Sequence, residues 1–253
     1  MYPTDLTNSQ WQVIQELLAD QRKRKYELRN VLNAIFYVVK GGIPWRLMPN
    51  DLPPWRIVFY YYTKFRRLGI WQELNDALRE KIRQKVGRKL SPSAGILDSQ
   101  SVKTTGVGGQ RGFDAAKWVK GRKRHIIVDT LGLLLAVVVH RADIDERRGA
   151  GFVLARLFSH KAMFPRLAVI FADGGYGGDF ETIVKKTYQW LLLIVRKPFG
   201  LKTFIPLPKR WIVERTFAWL NQHRRLSVDY ERSVKSSEAM IQLAMIRTML
   251  KRI

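Results

Sequence analysis

Two segments, AGILDSQSVK (residues 94–103) and LAVIFADGGYGG (residues 167–178), are apolar runs that each contain an acid. The first run turns polar at Asp98, as expected where a buried strand carries an acid to the edge of a sheet. The second run ends at Asp173 and glycines follow, which is typical of a strand that leads into a functional loop. The two segments predict strands that direct Asp98 and Asp173 to one place.

A third acid, Glu214, lies in the predicted helix KRWIVERTFAWLNQHRRL (209–226). Mg²⁺ prefers carboxylate and water oxygens. Two such ions, roughly 3.5 to 4 Å apart, activate the attacking oxygen and stabilise the leaving oxygen in displacements at phosphorus. A single acid is more often solvated or salt-bridged, so the prediction depends on all three together. Asp98, Asp173 and Glu214 are the predicted catalytic and metal-binding residues of a site for two Mg²⁺ ions, with Mn²⁺ as a substitute.

The charge of the chain indicates the substrate. Lys and Arg number 45 against 21 Asp and Glu, which gives a formal charge of +24 and a pI near 10.6. Such a surface binds nucleic acid by releasing counterions from phosphates. An anionic membrane is the competing partner, but the basic residues are spread along the chain and no apolar run approaches the ~18 residues that span a bilayer. We therefore expect a nucleic acid partner and no membrane.

The 253 residues contain no cysteine and four scattered histidines, which excludes disulfides and thiolate metal sites and disfavours a zinc site. The beginning of the sequence, MYPTDLTNSQWQVIQELL, lacks the features of an export signal. We expect a cytoplasmic protein with access to DNA.

Residues 1–90 show helical patterns and are predicted to form a DNA-binding domain. A first helix begins at Thr7 or Ser9 and ends near Asp20, and an amphipathic helix over 26–42 ends at two glycines. A proline-containing turn over 43–55 then leads into a helix over 56–71, an arrangement that resembles a helix-turn-helix. A charged helix over 77–90 follows and is expected to link the two domains.

The 56–71 helix interleaves aromatic and basic side chains. Phe59, Tyr62 and Phe65 are expected in the core, because aromatic residues at helical spacing are more often buried than in contact with DNA. A solvated basic face is the alternative to DNA contact for the basic positions. The predicted DNA-binding residues of this helix are Arg56, Lys64, Arg66 and Arg67.

From residue 91 to 253 the pattern is mixed α/β. We expect strands over 96–103, 123–130, 133–142, 167–173 and 190–197, and helices over 145–160, 177–189 and 209–226. This order is that of a ribonuclease-H-like fold, in which the first strand, the fourth strand and a late helix bring their acids to one sheet edge. The C-terminal helix SSEAMIQLAMIRTMLKRI is expected in the core, with a subunit interface as the alternative.

The segment Gly106–Arg124 is rich in glycine and in basic residues, and we interpret it as a loop that grips DNA. A flexible exposed loop is the alternative, and the glycines lack the spacing of a nucleotide-binding motif. Five other acids could compete with Asp98, Asp173 and Glu214 as site residues, and we call them the rival acids: Asp114, Asp129, Asp143, Asp145 and Asp179. Of these, Asp143 and Asp145 are expected to cap a helix. The predicted DNA-binding residues of the segment are Arg111, Lys117, Lys120, Arg122, Lys123 and Arg124.

Five blocks in order resemble the DDE transposases of bacterial insertion sequences, in the insertion sequence 5 group. They are ILDSQSVKTT, GGQRGFDAAKWVKGRKRHIIVDTLGLLLAVVVH, FADGGYGG, RWIVERTFAWLNQHRRLSVDYER and SEAMIQLAMIRTMLKRI. The early segments YPTDLTNSQW and PWRLMPNDLPPW also resemble that group. The resemblance implies that Asp98, Asp173 and Glu214 are the catalytic DDE residues.

The broader class has a Tyr, Arg, Glu, Lys/Arg pattern around its last acid, and this chain departs from it. Leu207, Arg210 and Asn221 occupy the three flanking positions, so only Arg210 matches. Arg210 is predicted either to contact DNA or to form a helix-supporting ion pair with Glu214. Arg225, eleven residues after Glu214, is predicted to lie on the same helix face and to supply the missing phosphate contact.

The expected function is cut-and-paste transposition by a homodimer or larger assembly, acting on the terminal inverted repeats of its own element and on target DNA. Two alternatives stay open: a sequence-specific DNA-binding protein without catalysis, and a stand-alone ribonuclease-H-like nuclease.

Overall fold

Four helices precede the sheet in the computed structural model, which describes residues 2–18, 25–196 and 209–253. They are α1 (Asn8–Leu18), α2 (Leu28–Gly41), α3 (Trp55–Arg67) and α4 (Ile70–Lys85). The predicted 26–42 helix is confirmed. It ends because Gly42 adopts a φ of 73° and its N–H donates to the carbonyl of Val38 at 2.8 Å. Asp20 lies outside the described residues.

Helices α3 and α4 differ from the sequence prediction. The helix predicted over 56–71 ends at Arg67, because Gly69 takes a left-handed conformation with φ of 76°. The charged helix predicted over 77–90 is the second half of α4, which ends at Lys85. The helix-turn-helix is not confirmed, since α2 and α3 are joined by the long segment 42–54 rather than by a short turn.

Six strands form one sheet, and four further helices follow along the chain. The strands are β1 (Ala94–Lys103), β2 (Gly112–Asp114), β3 (Val119–Asp129), β4 (Leu134–Arg141), β5 (Val169–Ala172) and β6 (Leu191–Ile194). The helices, which follow β4, β5 and β6 along the chain, are α5 (Glu146–Ser159), α6 (Asp179–Tyr188), α7 (Arg210–Asn221) and α8 (Val234–Leu250). Apart from the short β2, the predicted order of strands and helices is found.

The pairing of β1 determines the architecture. On one side, β1 pairs antiparallel with β3. On its other edge, β3 pairs antiparallel with both β2 and β4. On the other side β1 pairs in parallel with β5, and β5 pairs in parallel with β6. The sheet is therefore antiparallel around β3 and parallel around β5.

Both faces of the sheet are buried. One face, including Ile126 and Val137, packs in a core with helices α1 to α4, α7 and α8, and the opposite face, including Ile127 and Ile170, packs against α5 and α6. Helix α8 is buried around most of its circumference, so its apolar side chains are core, as expected. The N-terminal helices and the sheet share this core, and a domain boundary at residue 90 stays a prediction.

A buried ion pair joins the N-terminal helices to the sheet. Arg83 of α4 pairs with Asp129 at the end of β3, and both side chains are at most 5% exposed. Asp129 also accepts the backbone N–H groups of Leu131 and Leu133 at 2.9 Å, which shapes the predicted tight turn between β3 and β4. Among the described residues, no helix is both long and apolar enough to cross a membrane.

Candidate active site

The parallel pairing of β1 with β5 brings the first two acids together. Ile96 is opposite Phe171 in the register, and two residues farther along each strand are Asp98 and Asp173. Both acids line one small pocket. The backbone N–H of Ser99 donates to Asp98 at 2.7 Å, and that of Gly175 donates to Asp173 at 2.9 Å. Backbone donors therefore fix both carboxylates.

The environment of Asp98 disfavours its charged form. Burial raises the pKa of Asp98 to about 6, and the negative charge of Asp173 adds to this rise. The N–H of Ser99 and the charges of Arg210 and Lys117 act in the opposite direction. Burial is the larger cause, so a cation bound beside Asp98 would favour its charged form.

The third acid reaches the site from helix α7. Arg210, in the first turn, lies 3.4 Å from Asp173 and 3.3 Å from Glu214, and the Glu214 side chain is 53% exposed. The expected ion pair between Arg210 and Glu214 is present, and the same guanidinium also bridges to Asp173. Leu207 lies outside the described residues, and Asn221 is the last residue of α7.

The chemistry of the donors fits a hard cation, although the side chains are not arranged around one. Among the described residues, no three acidic or histidine side chains form a ready metal cluster. The guanidinium of Arg210 instead stands between Asp173 and Glu214 as a positive charge. Carboxylate oxygens are the ligands that Mg²⁺ prefers, so the donor chemistry of Asp98, Asp173 and Glu214 suits such an ion although their positions do not surround one.

A fourth acid, Glu146 at the start of α5, lies behind Asp98. Its carboxylate accepts the hydroxyl of Ser99 at 2.7 Å and the ammonium of Lys117 at 3.1 Å. Lys123 lies 3.2 Å away and His125 also 3.2 Å away. Burial raises the pKa of Glu146, but hydrogen bonds from His125 and Ser99 and the charge of Lys117 outweigh it and hold that pKa well below its usual value. Glu146 is therefore a fixed anion.

Glu146 links the elements that carry the first two acids. It holds Ser99, the residue after Asp98, and it lies 3.4 Å from the hydroxyl of Tyr176, which follows Asp173 in the same loop. The sequence analysis missed this role, because an acid in the first turn of a helix is an ordinary feature. Gly149 in the next turn of α5 is a sharper signal, since a Cβ there would lie 2.3 Å from the ring of His125.

Four of the predicted DNA-binding residues are corrected by the structure. The segment Gly106–Arg124 is not one loop, because its last part is strand β3 and is buried. Arg122 pairs with Asp229 at 3.1 Å, and Arg124 donates to the carbonyl of Leu226 at 2.8 Å. Lys123 faces Glu146 and Asp114. The side chains of Arg122, Lys123 and Arg124 thus support the fold and do not face DNA.

Arg225 is the fourth correction. Helix α7 ends at Asn221, and Arg225 lies in a separate 3₁₀ turn rather than on the face of Glu214. Its guanidinium is buried against Glu231 at 2.7 Å and donates to the carbonyl of Ile43 at 3.0 Å. This side chain is therefore held by protein partners and is not on the helix face of Glu214.

The remaining basic candidates keep access to solvent. Arg66 is partly buried and donates to the hydroxyls of Ser233 and Ser236 at the start of α8. Tyr62 and Phe65 are core, as expected, whereas Phe59 is 40% exposed. The exposed or half-exposed candidates are Arg56, Lys64, Arg67, Arg111, Lys117, Lys120 and Arg210.

The rival acids have other partners. Asp145 caps α5 by accepting the N–H of Arg148 at 2.9 Å, as expected. Asp143 forms an exposed ion pair with Arg141 instead of a cap. Asp114 accepts the hydroxyl of Ser101 at 2.6 Å. Asp179 is exposed in the first turn of α6.

The raised pKa of Asp98 predicts a stability gain for Asp98→Asn. The folded-state pKa lies above the unfolded one, so ionisation of Asp98 costs stability as the pH rises from about 4 through 6. In urea unfolding without divalent ions, we expect Asp98→Asn to be more stable than the wild type by about 2–3 kcal/mol at pH 8. The gain should vanish near pH 4. Exposed Asp179→Asn is the control, and an equal gain there would contradict the account.

Comparisons with known proteins identify the family of the chain. Residues 89–249 match the family model described as "Transposase DDE domain". Residues 6–75 match the model described as "Putative transposase of IS4/5 family". The chain is 29% identical over 133 residues to a Burkholderia cepacia protein described as "Putative transposase for insertion sequence element IS402". That alignment covers 49% of this chain and 60% of the relative.

The chain thus spans about three fifths of the length of this curated relative. The match to the transposase domain covers more than half of the chain and includes β1, β5 and α7, which carry the three acids. The resemblance noted from the sequence blocks is therefore confirmed, and the chain belongs to the family of DDE transposases of the IS4/5 type.

Proposed function

We propose that this chain binds the terminal inverted repeats of its element, cleaves the DNA at the element's ends and joins the freed 3′ hydroxyl to target DNA. The observation that carries the proposal is the placement of Asp98 and Asp173 on neighbouring parallel strands, with Arg210 connecting Asp173 to Glu214. Family membership and the strand order support a ribonuclease-H-like catalytic domain over 91–253.

Asp98, Asp173 and Glu214 would hold Mg²⁺, and Mn²⁺ would substitute because it accepts the same oxygen ligands. The chemistry that two such ions supply when bound is activation of the attacking oxygen and stabilisation of the leaving oxygen. The protein contributes orientation: backbone N–H groups fix the carboxylates of Asp98 and Asp173. Cleavage by water and joining by the 3′ hydroxyl are both displacements at phosphorus, so one site serves both.

Arg210 has a separate task in this proposal. Its guanidinium partly neutralises Asp173 and Glu214 in the free protein. A phosphate is a better partner for a guanidinium than a carboxylate already shared with a cation, because Arg forms paired hydrogen bonds with phosphate oxygens. Arg210 would therefore turn from the acids to the DNA backbone when the substrate arrives.

The DNA would lie across two exposed basic groups. One comprises Arg56, Lys64, Arg66 and Arg67 of α3, and the other comprises Arg111, Lys117 and Lys120 around β2. Lys117 donates hydrogen bonds to Ser99 and Glu146, and its charge acts on Asp98. Two transposon ends must be brought together, so the working form would be a homodimer or larger assembly, located at the bacterial nucleoid.

Neutralising each acid tests the site. Asp98→Asn, Asp173→Asn and Glu214→Gln should each reduce Mg²⁺-dependent cleavage of end DNA by at least ~1,000-fold, because each removes a charged ligand, while DNA binding changes little. Labelled end DNA, a target plasmid and Mg²⁺ provide the assay, and Asp179→Asn is the control. Cleavage that survives in one of the three variants would remove that residue from the site.

The products of the same assay separate the alternatives. The proposal predicts cut ends and ends joined to the plasmid. Cutting without joining indicates a stand-alone nuclease, and binding without cutting indicates a DNA-binding protein without catalysis. Either result would overturn the proposed function.

Glu146→Gln tests the fixed anion behind Asp98. The variant keeps the volume and one acceptor but leaves Lys117 and Lys123 without their shared counterion. We expect cleavage to fall by about 10- to 100-fold, as for partners that orient metal ligands, with end binding within about threefold of the wild type. Ser99→Ala should give a smaller loss, and exposed Glu73→Gln none. Wild-type cleavage by a folded Glu146→Gln protein would contradict this role.

A further inference from the structure

A group of cations without acidic partners surrounds the C-terminal ends of α7 and α8. Its members come from α2, from α7, from the 3₁₀ turn Arg224–Leu226 and from the residues after α8. They are Lys40, Arg215, Arg224, Lys251 and Arg252, which we call the C-terminal patch. Among the residues that the structure describes, no member forms an ion pair with Asp or Glu, whereas Arg210 and Arg225 do.

Three of these cations lie close together at the end of α2. The ammonium of Lys40 donates to the carbonyl of Gln222, directly after α7, at 2.7 Å. A Cβ added at Gly42 would lie 3.0 Å from the Cβ of Arg224, so the end of α2 packs against the turn that carries Arg224. Burial lowers the pKa of Lys40, and the positive charges of Lys251 and Arg224 add to this effect. Like charges are therefore crowded here, and a bound anion would relieve their repulsion.

The other two cations lie over one aromatic ring. The guanidinium groups of Arg215 and Arg252 are 4.6 and 4.1 Å from the centroid of Trp219. The charge of Asp129 attracts both groups, but its carboxylate is paired with Arg83. Stacking on the ring holds the two guanidinium groups in place, so less conformational freedom is lost when they bind an anion.

Helix α7 connects the C-terminal patch to the acids. Gln222 follows Glu214 by eight residues, and a helix rises about 1.5 Å per residue, so about 12 Å along the helix axis separate them. Each strand of a DNA duplex rises about 3.4 Å per nucleotide, so this separation corresponds to roughly three to four base pairs. The patch is thus outside the site of the acids but within the span of a duplex that reaches it.

We propose that the C-terminal patch binds the phosphate backbone of a DNA duplex on which the acids act; this rests on the proposed function. Lys and Arg side chains without acidic partners bind phosphates by releasing counterions, and such contacts position a duplex without reading its bases. The duplex at the element's end and the target duplex both present this chemistry. The patch extends the DNA-binding surface beyond the two basic groups of α3 and β2.

An anionic lipid surface and another protein are the competing partners. DNA is favoured, because the chain belongs to a transposase family and because α7 carries both Glu214 and Arg215. A second copy of the chain is disfavoured, since a contact between two copies of the patch would bring like charges together. A duplex is therefore the partner that fits both the charge of the patch and its position on α7.

The salt dependence of DNA binding tests the proposal. Lys40→Gln, Arg224→Gln and Lys251→Gln are combined in one triple variant, since all three side chains are exposed. Equilibrium binding of a duplex is measured over a series of KCl concentrations without divalent ions. The slope of the log of the binding constant against the log of the salt concentration should become shallower by about 2 to 3, because each lost phosphate contact removes about 0.9. Arg252→Gln alone should make it shallower by about 1.

A matched variant controls for the loss of net charge. It combines Lys161→Gln, Lys185→Gln and Lys186→Gln, which are exposed after α5 and on α6, and its slope should stay within about 0.5 of the wild type. Arg224→Gln with Lys251→Gln keeps the hydrogen bond of Lys40 and should still give a slope shallower by about 1 to 2. An unchanged slope in the folded triple variant, or an equal change in the matched variant, would overturn the proposal. An unchanged slope in Arg252→Gln would remove the pair over Trp219 from the patch.

Two duplexes of equal length distinguish the sources of the phosphate. A shallower slope with the end duplex alone assigns the patch to the element's end, and a shallower slope with an unrelated duplex alone assigns it to target DNA. A change with both duplexes means that the patch holds either one. No change with either duplex contradicts binding of DNA at the patch.

The outcomes also separate the patch from the proposed function. If the wild type binds with the expected slope but never cuts in Mg²⁺, the proposed function fails and the patch is still supported by the slope. If the triple variant keeps the wild-type slope but no longer sediments with phosphatidylglycerol vesicles, the partner is a lipid surface. If it keeps the slope and changes the mass of the DNA-free assembly, the partner is another copy of the chain. Either of the last two results would show the proposal to be wrong.

Discussion

The parallel pairing of β1 with β5 is the constraint on which the rest of the site depends. It brings Asp98, within β1, and Asp173, directly after β5, to one small pocket, where the negative charge of Asp173 disfavours ionisation of Asp98. The fold tolerates this because Arg210 approaches from α7 and Lys117 from the turn after β2. A cation bound beside Asp98 would reduce the cost of ionising this buried carboxylate.

Several arginine side chains are buried inside the molecule. Arg83, Arg122, Arg124 and Arg225 are buried with carboxylates or carbonyl oxygens as partners, and they join the helices and the C-terminal segment to the sheet. These four buried guanidinium groups are therefore not exposed to a polyanion. The exposed cations of α3 and of the turn after β2 are among the ones that we propose to contact DNA.

The sequence predicted that Asp98 and Asp173 belong to strand segments, because an apolar run that turns polar or ends at an acid leaves a clear pattern. The apolar pattern did not show that Arg122 and Arg124 are buried in β3, because charged residues interrupt a strand that is buried along most of its length. Their partners, such as Asp229 and Leu226, are about a hundred residues away, and no local pattern shows such a pairing. The position of Arg225 was wrong for a related reason, since the end of α7 carries no strong stop signal.

We propose that one metal centre is bound jointly by Asp98, Asp173 and Glu214. A change in metal specificity is the direct test of this proposal. The chain contains no cysteine, so Asp98→Cys, Asp173→Cys and Glu214→Cys each introduce a single thiol. A thiolate is a poor ligand for Mg²⁺ and a better one for softer divalent ions such as Mn²⁺. The account predicts that cleavage of end DNA is lost in Mg²⁺ and recovered at least in part in Mn²⁺ for each variant. Wild-type cleavage in Mg²⁺, or no recovery in Mn²⁺ by any of the three folded variants, would contradict it.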